Sequence, residues 1–141
     1  MTVSQFVLFL HFVGLMLGAT GGFGSALVMR RALAMPAEAA GPLRGLGPML
    51  ANVSGIGLAL MWLSGLVLVW SRWGGPGGLP GLFWAKFVFV LSLTAAAVAI
   101  HLTYAAIRRG DAAAAARLPK LGPVAGVSSL LAVLLAVYAF D

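Results

Sequence analysis

The sequence predicts an all-α integral membrane protein, an antiparallel four-helix bundle, on three observations. Of its 141 residues 62% are hydrophobic and only 9% are Asp, Glu, Lys or Arg. A soluble domain of this length carries about a quarter charged residues and needs them as a coat against water. The apolar residues fall into four runs, 4–29, 49–70, 82–107 and 122–140, each near or above the ~20 residues that cross ~30 Å of hydrocarbon as a helix. The links between runs are short, so neighbouring helices run antiparallel and the whole chain, 1–141, reads as one transmembrane domain. The mean hydropathy of +1.05 agrees with a chain whose solvent is lipid.

The first run opens near Ser4. Met1 to Gln5 contains no Lys or Arg, so the basic start of a signal peptide is missing and the run is read as a retained span. It contains Gly14, Gly18 and Gly22, with Ser25 beyond, a stripe against which a second helix backbone can lie. The link Arg30 to Pro48 holds Arg30, Arg31 and Arg44 against Glu38. The second run adds Gly55, Ala59, Ser64 and Gly65 as small packing residues. The next link, Ser71 to Gly81, is rich in Gly and Pro and carries Arg72 alone, flanked by Trp70, Trp73 and Trp84, whose indoles suit the headgroup level. The third run offers Ala95, Ala96, Ala97 and Ala99. The link Arg108 to Leu121 holds Arg108, Arg109, Arg117 and Lys120 against Asp111, with Ala112–Ala116 as a short helical connector or frayed loop.

The basic residues therefore gather in the first and third links. The positive-inside rule puts those links in the cytoplasm and both termini on the periplasmic or extracellular side. A composition rich in Ala, Gly, Leu and Arg suits a bacterial inner membrane. The net charge of +6 is accounted for by these orientation signals, and no basic stripe suggests a nucleic-acid partner. With no Cys, disulfides, thiolate metal sites and covalent haem attachment are excluded. No Asp or Glu lies inside a span, which argues against a proton-coupled exporter. The Met residues are scattered and read as packing, with a methionine-based copper path as the alternative.

Three ionisable residues fall inside the spans: His11, Lys86 and His101. Such groups are costly in lipid and are functional candidates by default. His11 shares a helix face with Gly14 and Gly18, so it points into the bundle, as a metal ligand or as a histidine hydrogen-bonded to a neighbouring helix. Lys86 follows Trp84 at the outer end of the third helix, where it either snorkels to the interface or faces the bundle and pairs with an anion. His101 lies on one broad face with Val90, Thr94 and Ala97, as a second ligand or an interfacial histidine. Counting ~1.5 Å per residue from the outer ends puts His11 ~10 Å deep, Lys86 ~6 Å and His101 ~28 Å. His11 and His101 cannot share one iron, whereas His11 and Lys86 lie at nearly one level.

His11, the glycine-rich turn about ten residues on, Gly65 to Trp70 closing the second run, and Trp84 with Lys86 opening the third together resemble the HemJ-type protoporphyrinogen oxidase family. A similar layout occurs in the CopD-like membrane proteins. The resemblance implies haem b, with His11 as its metal ligand and Lys86 as a cofactor-binding and catalytic partner at the haem or porphyrin. It also implies a membrane oxidoreductase acting on a porphyrinogen or exchanging electrons with quinone. Ser25 to Arg30 and Lys120 to Pro123 depart from the family pattern. Two other functions therefore stand beside the first: a cofactor-free accessory or assembly subunit of a larger membrane complex or homo-oligomer, and a CopD-like copper-handling protein.

Overall fold

The computed structural model describes residues 1–139. Four helices form the bundle: α1, Val3–Leu33; α2, Ala37–Trp73; α3, Gly81–Arg108; and α4, Leu118–Ala139. All four are long and apolar enough to cross a membrane. Phe9, Leu63, Val98 and Leu130 are each more than half exposed on the outer surface. Water would reject that surface and hydrocarbon accepts it, as expected of a multi-pass membrane protein.

The ends of the helices follow from local chemistry. The Thr2 hydroxyl accepts from the Gln5 amide while the Gln5 side chain accepts from the Thr2 amide, a capping box that starts α1,. Arg30 and Arg31 occupy the last turn of α1, where cations suit the negative end of the helix dipole. Gly74 closes α2 at φ 65° with its amide on the Val69 carbonyl, a left-handed cap that glycine adopts without Cβ strain. Pro76–Gly78 makes a 3₁₀ turn, and Pro80 precedes the first residue of α3. At the other end Gly110, at φ 96°, turns the chain into a 3₁₀ segment, Ala112–Arg117, which leads directly into α4.

One boundary differs from the sequence expectation. The link from Arg30 to Pro48 is nearly all helix, broken only around Ala34 to Pro36. At ~1.5 Å per residue α2 is far longer than the hydrocarbon is thick, so its first turns project beyond the lipid. Hydropathy reports the lipid-covered part of a helix and is silent about an extension built from Ala, Arg and Gly. Pro42 and Pro48 lie inside this extension, where each removes an amide donor without ending the helix. The expected end of the last span at Phe140 lies outside the described residues.

The helices are ordered α1–α2–α3–α4 around the bundle, and each neighbouring pair is antiparallel. Gly14 faces Gly57 and Met61 while Gly21 faces Leu50 and Ser54. On the next side Trp62 meets Thr94 and Gly55 meets His101. Ser92 bonds Ser128 across α3 and α4, and Phe23 lies on Gly126 across α1 and α4. The approach is closest within the hairpins α1/α2 and α3/α4 and much looser between them.

The α1/α2 seam is nearly backbone on backbone. A Cβ at Gly14 would sit 2.9 Å from the Gly57 carbonyl, and one at Gly21 2.5 Å from the Leu50 carbonyl and the Ser54 amide. A Cβ at Gly57 would overlap the Gly18 amide and sit 2.6 Å from the Gly14 carbonyl. The contact line thus runs Gly14, Gly18, Gly21, Ser25 rather than through Gly22, which only brushes the Ser54 hydroxyl. Steps alternating between four and three residues follow a partner helix that winds left-handed, whereas uniform steps of four drift off the seam.

Gly57→Ala is expected to destabilise the protein by about 1–3 kcal/mol through forced separation of the two backbones. Gly45→Ala, where a Cβ meets nothing within 4 Å, should instead be neutral or stabilising by up to about 1 kcal/mol. Reversible unfolding of both variants in mixed micelles checks the contrast.

Candidate functional site

The site that the sequence singles out lies at the tryptophan-bearing end, away from the cluster of basic residues. His11 extends from α1 onto α2, where its Nδ1 is 2.9 Å from the Ser64 hydroxyl oxygen. Ser64 is 4% exposed, and its hydroxyl donates to the Leu60 carbonyl at 2.6 Å, with Met61 O at 3.3 Å. A hydroxyl has one proton, and here the helix carbonyls take it. The Ser64 oxygen is left to accept, so Nδ1 of His11 carries a proton and donates. In the neutral ring the lone pair then lies on Nε2. Gly65 makes room for the ring: a Cβ there would be 3.4 Å from His11 Cε1. His11 is thus both a histidine bonded to a neighbouring helix and a ring whose second nitrogen is left basic.

Lys86 is half-buried near the start of α3. Its Nζ lies 5.6 Å from the centroid of the Phe83 ring, within the range of a cation–π attraction. Phe83, Trp84, Phe87 and Trp62 form the aromatic cluster around this end of α3, with Trp62 and Phe87 edge to face at 5.7 Å. Helix register relates Lys86 to His11. The Ser25 hydroxyl and the Tyr104 hydroxyl are 3.2 Å apart, which ties α1 to α3 across the bundle. Equal steps from that bond bring His11 level with Val90, and Lys86 lies one turn, ~6 Å, further out.

His101 belongs to a different place. Its Nδ1 donates to the Ala97 carbonyl one turn back at 2.9 Å, and its ring lies over Gly55, where a Cβ would be 3.1 Å from Cε1 and Nε2. It lines an apolar cavity of about 340 Å³ between α2 and α3 with Trp62, Thr94 and Ala97 among its neighbours. His101 is near the level of Tyr104, more than three turns from His11, so the two rings do not converge.

Three polar contacts were not legible in the sequence. Ser64 reads there as a small packing residue, and only the register of α2 on α1 makes it the partner of His11. Ser25 donates to the Gly47 carbonyl at 3.0 Å and meets Tyr104, a junction of three helices at the basic end. Trp62 Nε1 donates to the Thr94 hydroxyl at 3.0 Å, which itself donates to the Val90 carbonyl. Among the described residues no buried side-chain polar atom lacks a partner. That is what a lipid-embedded bundle requires, because hydrocarbon offers no substitute for a missing bond.

The donor set bounds the chemistry. Among the described residues no group of three or more His, Cys, Asp or Glu could hold a metal ion. A cofactor that brings its own equatorial ligands needs only one imidazole. The cavity beside His101 and the one between α3 and the start of α4 do not include His11, and the looser approach between the α1/α2 and α3/α4 hairpins is where a bulky group could be admitted beside it. The imidazole fits such a group in chemistry.

If Ser64 holds the ring, His11→Ala and Ser64→Ala should not be additive. A double-mutant cycle on unfolding should give a coupling of about 0.5–1.5 kcal/mol, and zero coupling would show the bond contributes nothing. No family model, no curated protein and no solved structure matches the chain, so its functional reading rests on these residues and their geometry.

Proposed function

We propose that the chain is a haem b-binding protein of the bacterial inner membrane, resembling the HemJ-type family, with porphyrinogen oxidation or electron exchange with quinone as its activity. The observation that carries this reading is the 2.9 Å contact of His11 Nδ1 with the Ser64 hydroxyl oxygen. Ser64 fixes that nitrogen as a donor, which leaves Nε2 as the nitrogen that can bind iron. A metal-binding histidine is normally held in this way by a hydrogen bond from its other nitrogen. The Lys86 ammonium, about one turn nearer the tryptophan-bearing end, would pair with a propionate carboxylate. Bound haem supplies a one-electron iron centre whose potential depends on its axial ligand and surroundings. The chain's own contribution is to orient one imidazole, hold one cation beside it and exclude water with the Trp62, Phe83, Trp84 and Phe87 rings.

Arg30, Arg31, Arg44, Arg108, Arg109, Arg117 and Lys120 all belong to one end of the bundle. This supports an orientation with that end in the cytoplasm and both termini outside.

A second reading, a cofactor-free accessory or assembly subunit, is favoured by a different observation. Gly18 and Gly22 leave open space or a single light contact where a side chain would project, so part of the small-residue face of α1 remains uncovered by α2. On this reading Gly18→Leu abolishes co-purification with a larger complex while His11→Ala has no effect. Copper handling of the CopD-like kind would have to use the scattered methionines.

Protein purified in detergent from haem-replete cells is expected to show a Soret band that His11→Ala removes and Lys86→Gln weakens. Wild type without a haem band, or a His11→Ala spectrum equal to wild type, overturns the proposal. Metal analysis of the same samples separates iron from copper.

A further inference from the structure

We propose a binding site for one anionic phospholipid at the basic end of the bundle, in a cavity between α3 and the start of α4. The cavity, about 360 Å³, is lined by Ala99, Leu102, Thr103, Arg117, Lys120 and Leu121. Its wall and its rim differ sharply in chemistry. Ala99, Leu102 and Leu121 are apolar, and Thr103 donates its hydroxyl to the Ala99 carbonyl at 2.7 Å. The wall therefore presents methyl and methylene groups to whatever lies against it. At the rim stand Arg117 and Lys120, both exposed. Among the described residues neither has an ion pair or hydrogen bond.

An apolar trough ending in two uncompensated cations matches a molecule with a hydrocarbon tail and an anionic head. A free phosphate would satisfy the rim alone and leave the trough to be filled by some other molecule. A zwitterionic lipid would fill the trough but bring its own cation to the rim. An anionic phospholipid satisfies both, with its phosphate between the guanidinium and the ammonium and one acyl chain along α3. Basic pockets between transmembrane helices recognise anionic headgroups on this principle. The site is independent of His11 and of any haem.

The test uses the full chain in detergent, titrated separately with dioleoyl phosphatidylglycerol, dioleoyl phosphatidylcholine and inorganic phosphate, with retained molecules counted by native mass spectrometry. Phosphatidylglycerol is expected to be retained at least about 10-fold more tightly than phosphatidylcholine, and phosphate should not displace it. Each cation is worth roughly 5-fold, so Arg117→Gln/Lys120→Gln should weaken retention about 30-fold. Ala99→Phe, which fills the trough and leaves both charges, should weaken it as well. Arg31→Gln/Arg44→Gln removes equal charge at the same end on α1 and α2 and should leave retention within about 2-fold. Circular dichroism confirms that each variant is folded, and the single Lys120→Gln substitution replaces the double one if that does not fold. Equal retention of the two lipids overturns the site. An equal loss in the Arg31/Arg44 variant also overturns it, since the binding would then be a diffuse property of the basic end. Displacement by phosphate overturns the lipid as occupant.

Discussion

The contact of Gly57 with Gly14 and Gly18 governs the rest of this bundle. In lipid, apolar side chains gain little by leaving the bilayer for one another, so helices associate through close van der Waals approach and a few polar bonds. With no side chain on either surface, α1 and α2 come so near that a single added carbon at Gly57 would collide with backbone. That approach fixes the register, and the register brings Ser64 to His11, Ser54 to the Gly18 carbonyl and Ser25 to the Gly47 carbonyl. The imidazole is positioned by glycines that lie from about one to two turns away from it along α1, and by Gly57 on α2,.

Three hydroxyls in the spans share one arrangement. Ser64, Thr94 and Thr103 each donate to a carbonyl on their own helix, which satisfies the hydroxyl proton locally and turns the oxygen into an acceptor for another helix. Two of the three are used in this way, Ser64 by His11 and Thr94 by Trp62. A hydroxyl so placed can only accept, so it selects a donor on the facing helix. For a tryptophan this changes nothing, because indole can only donate. For histidine it chooses between two tautomers and so determines which ring nitrogen remains basic.

Much of this was legible in the sequence, and what was not has physical causes. The four spans and their antiparallel order are visible because lipid imposes long apolar runs and short links. The inward face of His11 follows from its phase with Gly14 and Gly18 and needs no knowledge of the partner. Counting along two helices that enter from the same end puts Lys86 within about a turn of His11. The seam residue Gly21 was missed and Gly22 taken in its place, because uniform steps of four ignore the winding of one helix around another. Ser64 could not be identified as a partner from α1 alone, since the pairing of two helices is a property of both. The projecting start of α2 was hidden because its Gly, Pro and Arg residues carry no hydropathy signal and no side-chain cap marks its first turn.

The two hairpins are spaced by different things. Within α1/α2 the spacer is a hydrogen atom on a glycine, whereas between α2 and α3 it is the width of an indole and a phenyl ring, Trp62 and Phe87. The cross-section is consequently oblong rather than square, tight along two opposite edges and open along the other two. In a bilayer those open edges face acyl chains, so whatever access they give to the interior is lateral, from hydrocarbon rather than from water.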